Sequence, residues 1–180
     1  MVASMTEFVT VASLQSLVAA GPAAFGRKLG GFVLLGHIPE SGADWVSRTS
    51  VVTTSKSVRA VRRATGELEA MIDLGWQVFV VRKAPGTQTD TRTVLIGRSS
   101  SNDIVLPHSS VSKLHARIDV SPTGLVLSDA GSSNGTIFNG DQLRANEEVT
   151  LASGDLIRFG SVALQLFSPE VLCSLLTRYS

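Results

Sequence analysis

The sequence predicts a mainly β protein: an antiparallel β-sandwich over residues 76–168, an α/β extension over 1–75 and a short C-terminal helix over 169–180. Three observations carry this prediction. Short apolar or β-branched runs recur at roughly eight-to-twelve-residue spacing, as in sandwiches. Gly, Pro, Asn and Ser bound those runs, and such residues supply turn backbone angles and local hydrogen bonds. Ser168-Pro169-Glu170 is a helix start: a capping hydroxyl, a proline suited to the first helical position, and an acid at the positive end of the dipole.

In order, residues 8–20 set Phe8, Val11, Leu14, Leu17 and Val18 at helical spacing, and Gly21-Pro22 ends that helix. A Gly-rich piece leads to Gly31–Leu35, a buried strand. Residues 39–44 read as a loop and 45–54 as extended. Ser55 or Ser57 caps a second helix carrying Val58, Val61, Leu68, Met71 and Ile72, which Gly75 stops. The sandwich strands follow: Gln77–Val81, Arg92–Ile96, Asp103–Leu106, His115–Val120, Leu125–Asp129, Val149–Leu151, Leu156–Phe159 and Val162–Phe167. Ala84–Asp90 is a turn-rich connection, and Ser121–Gly124 and Phe138–Asp141 are hairpin turns. In the tail, Leu172, Leu175, Leu176 and Tyr179 share a face that docks on the body of the molecule. A 74-residue mixed segment has little core of its own, so the extension is expected to pack on the sandwich and not to fold alone.

Composition excludes several functions. At 43 % hydrophobic and 17 % charged residues, the chain is globular in type. Residues 1–74 hold seven Lys/Arg against six Asp/Glu, and 75–168 hold eight against eight, so charge gives no sign of nucleic-acid binding. Arg59, Arg62 and Arg63 read as a solvated helix face. The single Cys173 forms no intrachain disulfide and is consistent with a reducing compartment. No metal-binding spacing occurs among His37, His108, His115 and Cys173, so neither metal nor cofactor is expected. No run is long enough to span a bilayer, and Glu7 stands where a signal peptide carries a base. The expectation is a cytoplasmic protein.

Chemistry concentrates between Gly97 and Gly140. Arg98 stands where a strand leaves its sheet, and its planar guanidinium can offer a fork of donors to a phosphate. Ser112 ends a serine-rich turn, and Ser132, Ser133 and Asn134 form a second polar turn closed by Gly135. Hydroxyls, loop N–H groups and one cation are what a tetrahedral dianion needs. Taken singly, each residue reads better as ordinary turn chemistry. His115 and Ser112 do not make a catalytic pair: residues three apart in a strand face opposite ways, and no orienting carboxylate is evident.

The ordered set Gly97-Arg98, Ser112-Lys113-Leu114-His115, Gly131–Thr136 and Asn139-Gly140 resembles the forkhead-associated (FHA) family, over about residues 76–167. The resemblance implies an FHA-type antiparallel β-sandwich without catalysis or cofactor. It implies that Arg98 and Ser112 bind phosphate, that Ser133 fills the family's Ser/Thr position, and that Asn134 holds the ligand's main chain. Gly97, His115 and Gly135 then keep the loops in shape, with His115 donating to a backbone carbonyl, and Asn139-Gly140 form a hairpin turn. Two positions depart from the commonest family pattern: Lys113, where Arg or Asn is frequent, and Ala130, where a larger apolar residue is frequent. Lys113 either adds a cation beside the phosphate or points to solvent.

The function implied is a phosphothreonine-dependent protein-binding adaptor downstream of a Ser/Thr kinase, its partner a phosphothreonine-containing protein. Two alternatives stand behind it: a phosphate-independent scaffold, and an FHA-controlled regulator whose N-terminal part acts. Self-association through Thr87, Thr89 or Thr53-Thr54 ranks behind a separate partner.

Overall fold

The computed structural model describes residues 9–10, 14, 18–19, 21–38, 77–83 and 92–177. The strands are β1 (Val9–Thr10), β2 (Val33–Gly36), β3 (Gln77–Val80), β4 (Thr93–Gly97), β5 (Ile104–Val105), β6 (Ala116–Ser121), β7 (Gly124–Asp129), β8 (Thr136–Phe138), β9 (Asp141–Gln142), β10 (Glu148–Leu151), β11 (Leu156–Phe159) and β12 (Val162–Phe167). Two helices accompany them, α1 (Pro22–Leu29) and α2 (Pro169–Thr177). One sheet runs β1-β3-β2-β12-β11-β8-β9 and the other β10-β7-β6-β4-β5. The ladders are antiparallel except β4–β5, which is parallel.

Alternation along the strands builds the layers. Val94 and Ile96 of β4, Ala116 and Ile118 of β6, and Leu125 and Leu127 of β7 face the first sheet. They meet Leu34, Phe79, Ile157, Phe159, Leu164 and Leu166 in the central core. The intervening residues Val33, Leu35, Val78 and Phe167 point the other way, into a second core with Phe25 and Leu29 of α1 and Leu172, Cys173 and Leu176 of α2. The molecule therefore has three layers: helices, seven-stranded sheet, five-stranded sheet. A fully buried Leu or Phe stabilises by about 1.5–3 kcal/mol over its exposed state.

The sandwich is thus mostly β with a short C-terminal helix, as the sequence predicts. In that helix Leu172, Cys173 and Leu176 are buried and Leu175 partly so, while Tyr179 lies outside the described residues. Val9–Thr10, predicted helical, instead pair with Gln77 and Val78, although Leu14 and Val18 are helical further on. Helix α1 replaces the predicted Gly-rich connection. Pro22 opens it, Arg27 and Lys28 occupy its last turn, and Gly30 closes it at φ 72°. Strand β2 lies between β12 and β3, so the run Gln77–Val80 sits one strand further out than the last strand of the sandwich. The elements predicted over 39–76, including Trp76, and the connection 84–91 with Thr87 and Thr89 lie outside the described residues.

Candidate functional site

Two loops meet beside the end of β4. One joins β5 to β6 and contains His108–His115; the other joins β7 to β8 and spans 130–135. Gly97 lets β4 approach the first loop. A Cβ there would fall 2.4 Å from the Lys113 carbonyl oxygen, so only glycine fits. Asn102 ties the same carbonyl down with its Nδ2 at 2.6 Å.

Arg98 follows, exposed. Its backbone N–H donates to the Ser112 carbonyl at 2.8 Å, and its Nε donates to the Val111 carbonyl at 3.1 Å. Those two bonds fix the guanidinium stem against the first loop. The terminal Nη groups meet no acceptor among the described residues, so the outer edge of the fork is available to a ligand.

The second loop comes to the first at Ser133, whose N–H donates to Ser112 Oγ at 3.0 Å. The two hydroxyls stand 3.5 Å apart, too long for a strong bond. Asn134 crosses back as well, its Nδ2 donating to the Ser110 carbonyl at 2.8 Å. Ser133, Asn134 and Lys113 are exposed. The Lys113 carbonyl holds Ser99 N–H and Asn102, while its ammonium faces outward.

His115 lies beneath, fully buried, with Phe159 edge-on at 5.8 Å between ring centroids. Its Nδ1 accepts the Ser112 N–H at 3.0 Å, so the ring proton is on Nε2, which donates to the Gly135 carbonyl at 3.1 Å. One imidazole thereby joins both loops. It reaches the backbone of Ser112 and not the hydroxyl, so no nucleophile–base bond exists between them. Burial pushes the imidazole below its ordinary 6.5, against the opposing pull of the Gly135 carbonyl and the Asp129 charge.

Asp129 is a functional support that the sequence reading did not single out. It is buried at the end of β7. Its Oδ1 accepts the N–H groups of Gly131 and Ser132, both at 2.8 Å. Its Oδ2 accepts the hydroxyls of Ser132 at 2.7 Å and Thr136 at 2.6 Å. Burial works to raise this carboxyl, but the bonds from Thr136, Ser132 and Gly131 outweigh it and hold the group below its ordinary value. The visible signal was an Asp followed by Gly-Ser, a composition that favours side-chain-to-backbone turns.

Asn139 and Gly140 turn the β8–β9 hairpin at φ 50° and 103°, with Phe138 paired to Asp141. They stand apart from the two loops. Asn139 instead bonds Leu156 N–H and Asp155, tying the hairpin to β11.

Exposed donors held by buried supports, at one end of a two-sheet sandwich, define a loop-reading binding module. Residues 94–160 match the family model of the FHA domain, a phosphopeptide-binding module. An FHA domain-containing protein of Arabidopsis thaliana is 34 % identical over 87 residues, covering 46 % of this chain and 22 % of the relative. The transcriptional regulatory protein EmbR of Mycobacterium tuberculosis is 44 % identical over 63 residues, 35 % of this chain and 16 % of the relative. The solved structure of M. tuberculosis EmbR in complex with low affinity phosphopeptide is 35 % identical, with a TM-score of 0.40, covering 44 % of this chain and 21 % of that one. The chain thus spans about a fifth of the lengths of these relatives. Among the described residues no helix is long and apolar enough to cross a membrane, and no three His, Cys, Asp or Glu gather as a metal site.

Proposed function

We propose that this chain is an adaptor that binds a phosphothreonine segment of a partner protein made by a cytoplasmic Ser/Thr kinase. Arg98, Ser112 and Ser133 take the phosphate, Asn134 takes the main chain, and Lys113 adds charge at the rim. The observation that supports this best is Arg98 itself: a guanidinium fixed through Nε to the Val111 carbonyl with its Nη edge turned outward next to Ser112. A phosphate near −2 charge forms charge-assisted bonds with such donors, about twice as strong as neutral ones.

The test is a degenerate phosphothreonine peptide library on the full chain, followed by titration of the best peptide in its phosphothreonine, phosphoserine and plain threonine forms. Arg98→Ala is expected to cost on the order of 2–5 kcal/mol of affinity, with the fold unchanged. Arg98→Lys also binds poorly, because a point charge does not replace the fork. Equal affinity for the phosphorylated and plain peptides supports the scaffold alternative instead.

A further inference from the structure

The β11–β12 turn, Gly160-Ser161, lies outside the motif that defines the site, yet it touches both loops. Gly160 N–H donates to the Gly135 carbonyl at 3.1 Å, the same oxygen that receives His115 Nε2. On its other side Gly160 abuts the first loop: a Cβ there would lie 2.4 Å from the Ser110 carbonyl oxygen, and its φ is 61°. Ser161 continues the contact, its N–H donating to Ser110 Oγ at 2.9 Å and its Oγ lying 2.7 Å from the same atom.

Ser110 is therefore held by its side chain from a turn 51 residues later in the chain. His108 is buried, and its Nδ1 accepts the Ser110 N–H at 3.2 Å, so that nitrogen carries no proton. The Ser110 hydroxyl, 2.8 Å away, then donates to Nδ1 and accepts the Ser161 N–H, and the Ser161 hydroxyl lies within reach of both, 2.7 Å from Ser110 Oγ and 3.4 Å from Nδ1.

The Ser110 carbonyl is what Asn134 Nδ2 reaches, at 2.8 Å. That bond sets which way the exposed amide faces. With one N–H spent on Ser110, Oδ1 and the second N–H remain for a ligand, and these match the N–H and C=O of a peptide group. The phosphate donors make their direct bonds with other groups, Arg98 with Val111 and Ser112 with His115 and Ser133.

We propose that His108, Ser110 and Ser161, seated by Gly160, form a positioning unit that sets the site's grip on the ligand main chain separately from its grip on phosphate. These are positioning residues acting through Asn134. The inference rests on the phosphopeptide reading above.

The experiment compares two probes on the full chain: the best library-selected nine-residue phosphothreonine peptide, and free O-phospho-L-threonine. Ser161→Ala and Ser110→Ala should weaken the peptide about tenfold, the loss of one positioning hydrogen bond, while changing phosphothreonine affinity by less than about twofold. Ser161→Thr, which keeps the hydroxyl, should restore peptide affinity. The side-chain amide resonances of Asn134 in the unliganded protein should shift in both alanine variants, a readout that survives partial destabilisation. Equal losses for both probes, or an unmoved Asn134 amide with unchanged peptide affinity, overturns the positioning unit. A wild-type chain that binds neither probe overturns the phosphopeptide reading first, and the inference with it.

Discussion

The two loops of the site are supported in different ways. The 130–135 loop is held from within: the Asp129 carboxylate receives two of its N–H groups, its Ser132 hydroxyl and the Thr136 hydroxyl just beyond it. The loop from His108 to His115 is held partly by its own two histidines, which accept the Ser110 and Ser112 N–H groups, and otherwise from without. Its hydrogen bonds run to Arg98 N–H, to Asn134, to the Gly135 carbonyl through His115, and to Ser161. A charge organises the 130–135 loop locally, whereas neutral rings and neighbouring elements organise the 108–115 loop. The lesson is local: the Asp129 carboxylate braces Gly131 and Ser132 directly, whereas Asn134 and Gly135 of the same loop are tied to the 108–115 loop.

The largest effect should come from Asp129→Ala. The change strips charge-assisted bonds and leaves the buried Thr136 hydroxyl without its acceptor, a cost on the order of 3–5 kcal/mol in chemical denaturation. Amide exchange should quicken in both loops. Asp129→Asn, which keeps one carbonyl acceptor, should cost clearly less, and equal costs would break the local-charge account.

His115→Ala comes next, at about 2–4 kcal/mol, from a cavity against Phe159 and two lost hydrogen bonds. Here exchange should quicken at Ser112 N–H while Gly131 and Ser132 N–H stay protected. Quickening at all three alike would erase the contrast between the loops.

Acidity separates the two supports further. His115 is neutral in the fold with its pKa lowered, so the unfolded chain takes up a proton near 6.5 that the folded chain refuses. Stability is complete above pH 6.5 and falls as pH drops from there to the lowered folded value, and His115→Ala should remove that slope. Asp129 is also lowered, from 3.8, so its contribution persists through that range and is lost only below 3.8. Denaturation curves from pH 8 to pH 3 should show a decline that sets in near 6.5 and is removed by His115→Ala, and a further one below 3.8 that Asp129→Asn reduces.

The smallest effect belongs to Lys113→Ala. Its ammonium is exposed, so the loss in phosphopeptide affinity should stay under about 1 kcal/mol and vanish in high salt. A larger, salt-insensitive loss would bring Lys113 into the phosphate contact itself.

Much of this architecture was legible in the sequence. From β4 to β12 the alternation and the turn residues mark most strands, because each strand buries one face and ends at a turn with special backbone needs. The ordered motif singled out Arg98, Ser112, Ser133 and Asn134 together, and those residues do converge. Strand β2 was legible as a buried strand but not in its place: four consecutive buried residues have no polar face to report what lies on either side. Gly26 inside α1 masked a helix that Pro22 and Gly30 announced. Ser110, His108 and Ser161 carried no signature, since a contact across 51 residues leaves no local period. Asp129 was read only as the end of a strand.

The insertion of β2 also sets a clock. Leu35 pairs with Gln165, 130 positions later. At the ribosome's pace of roughly 5–20 residues per second, on the order of 10 s separates the two strands. During that interval β3 can arrive and cover one edge of β2, but the other edge stays open and apolar, a template for any stray strand nearby. The loops that carry Arg98, Ser112 and Asn134 are all synthesised within the same interval. The recognition end is thus made before the seven-stranded sheet can close.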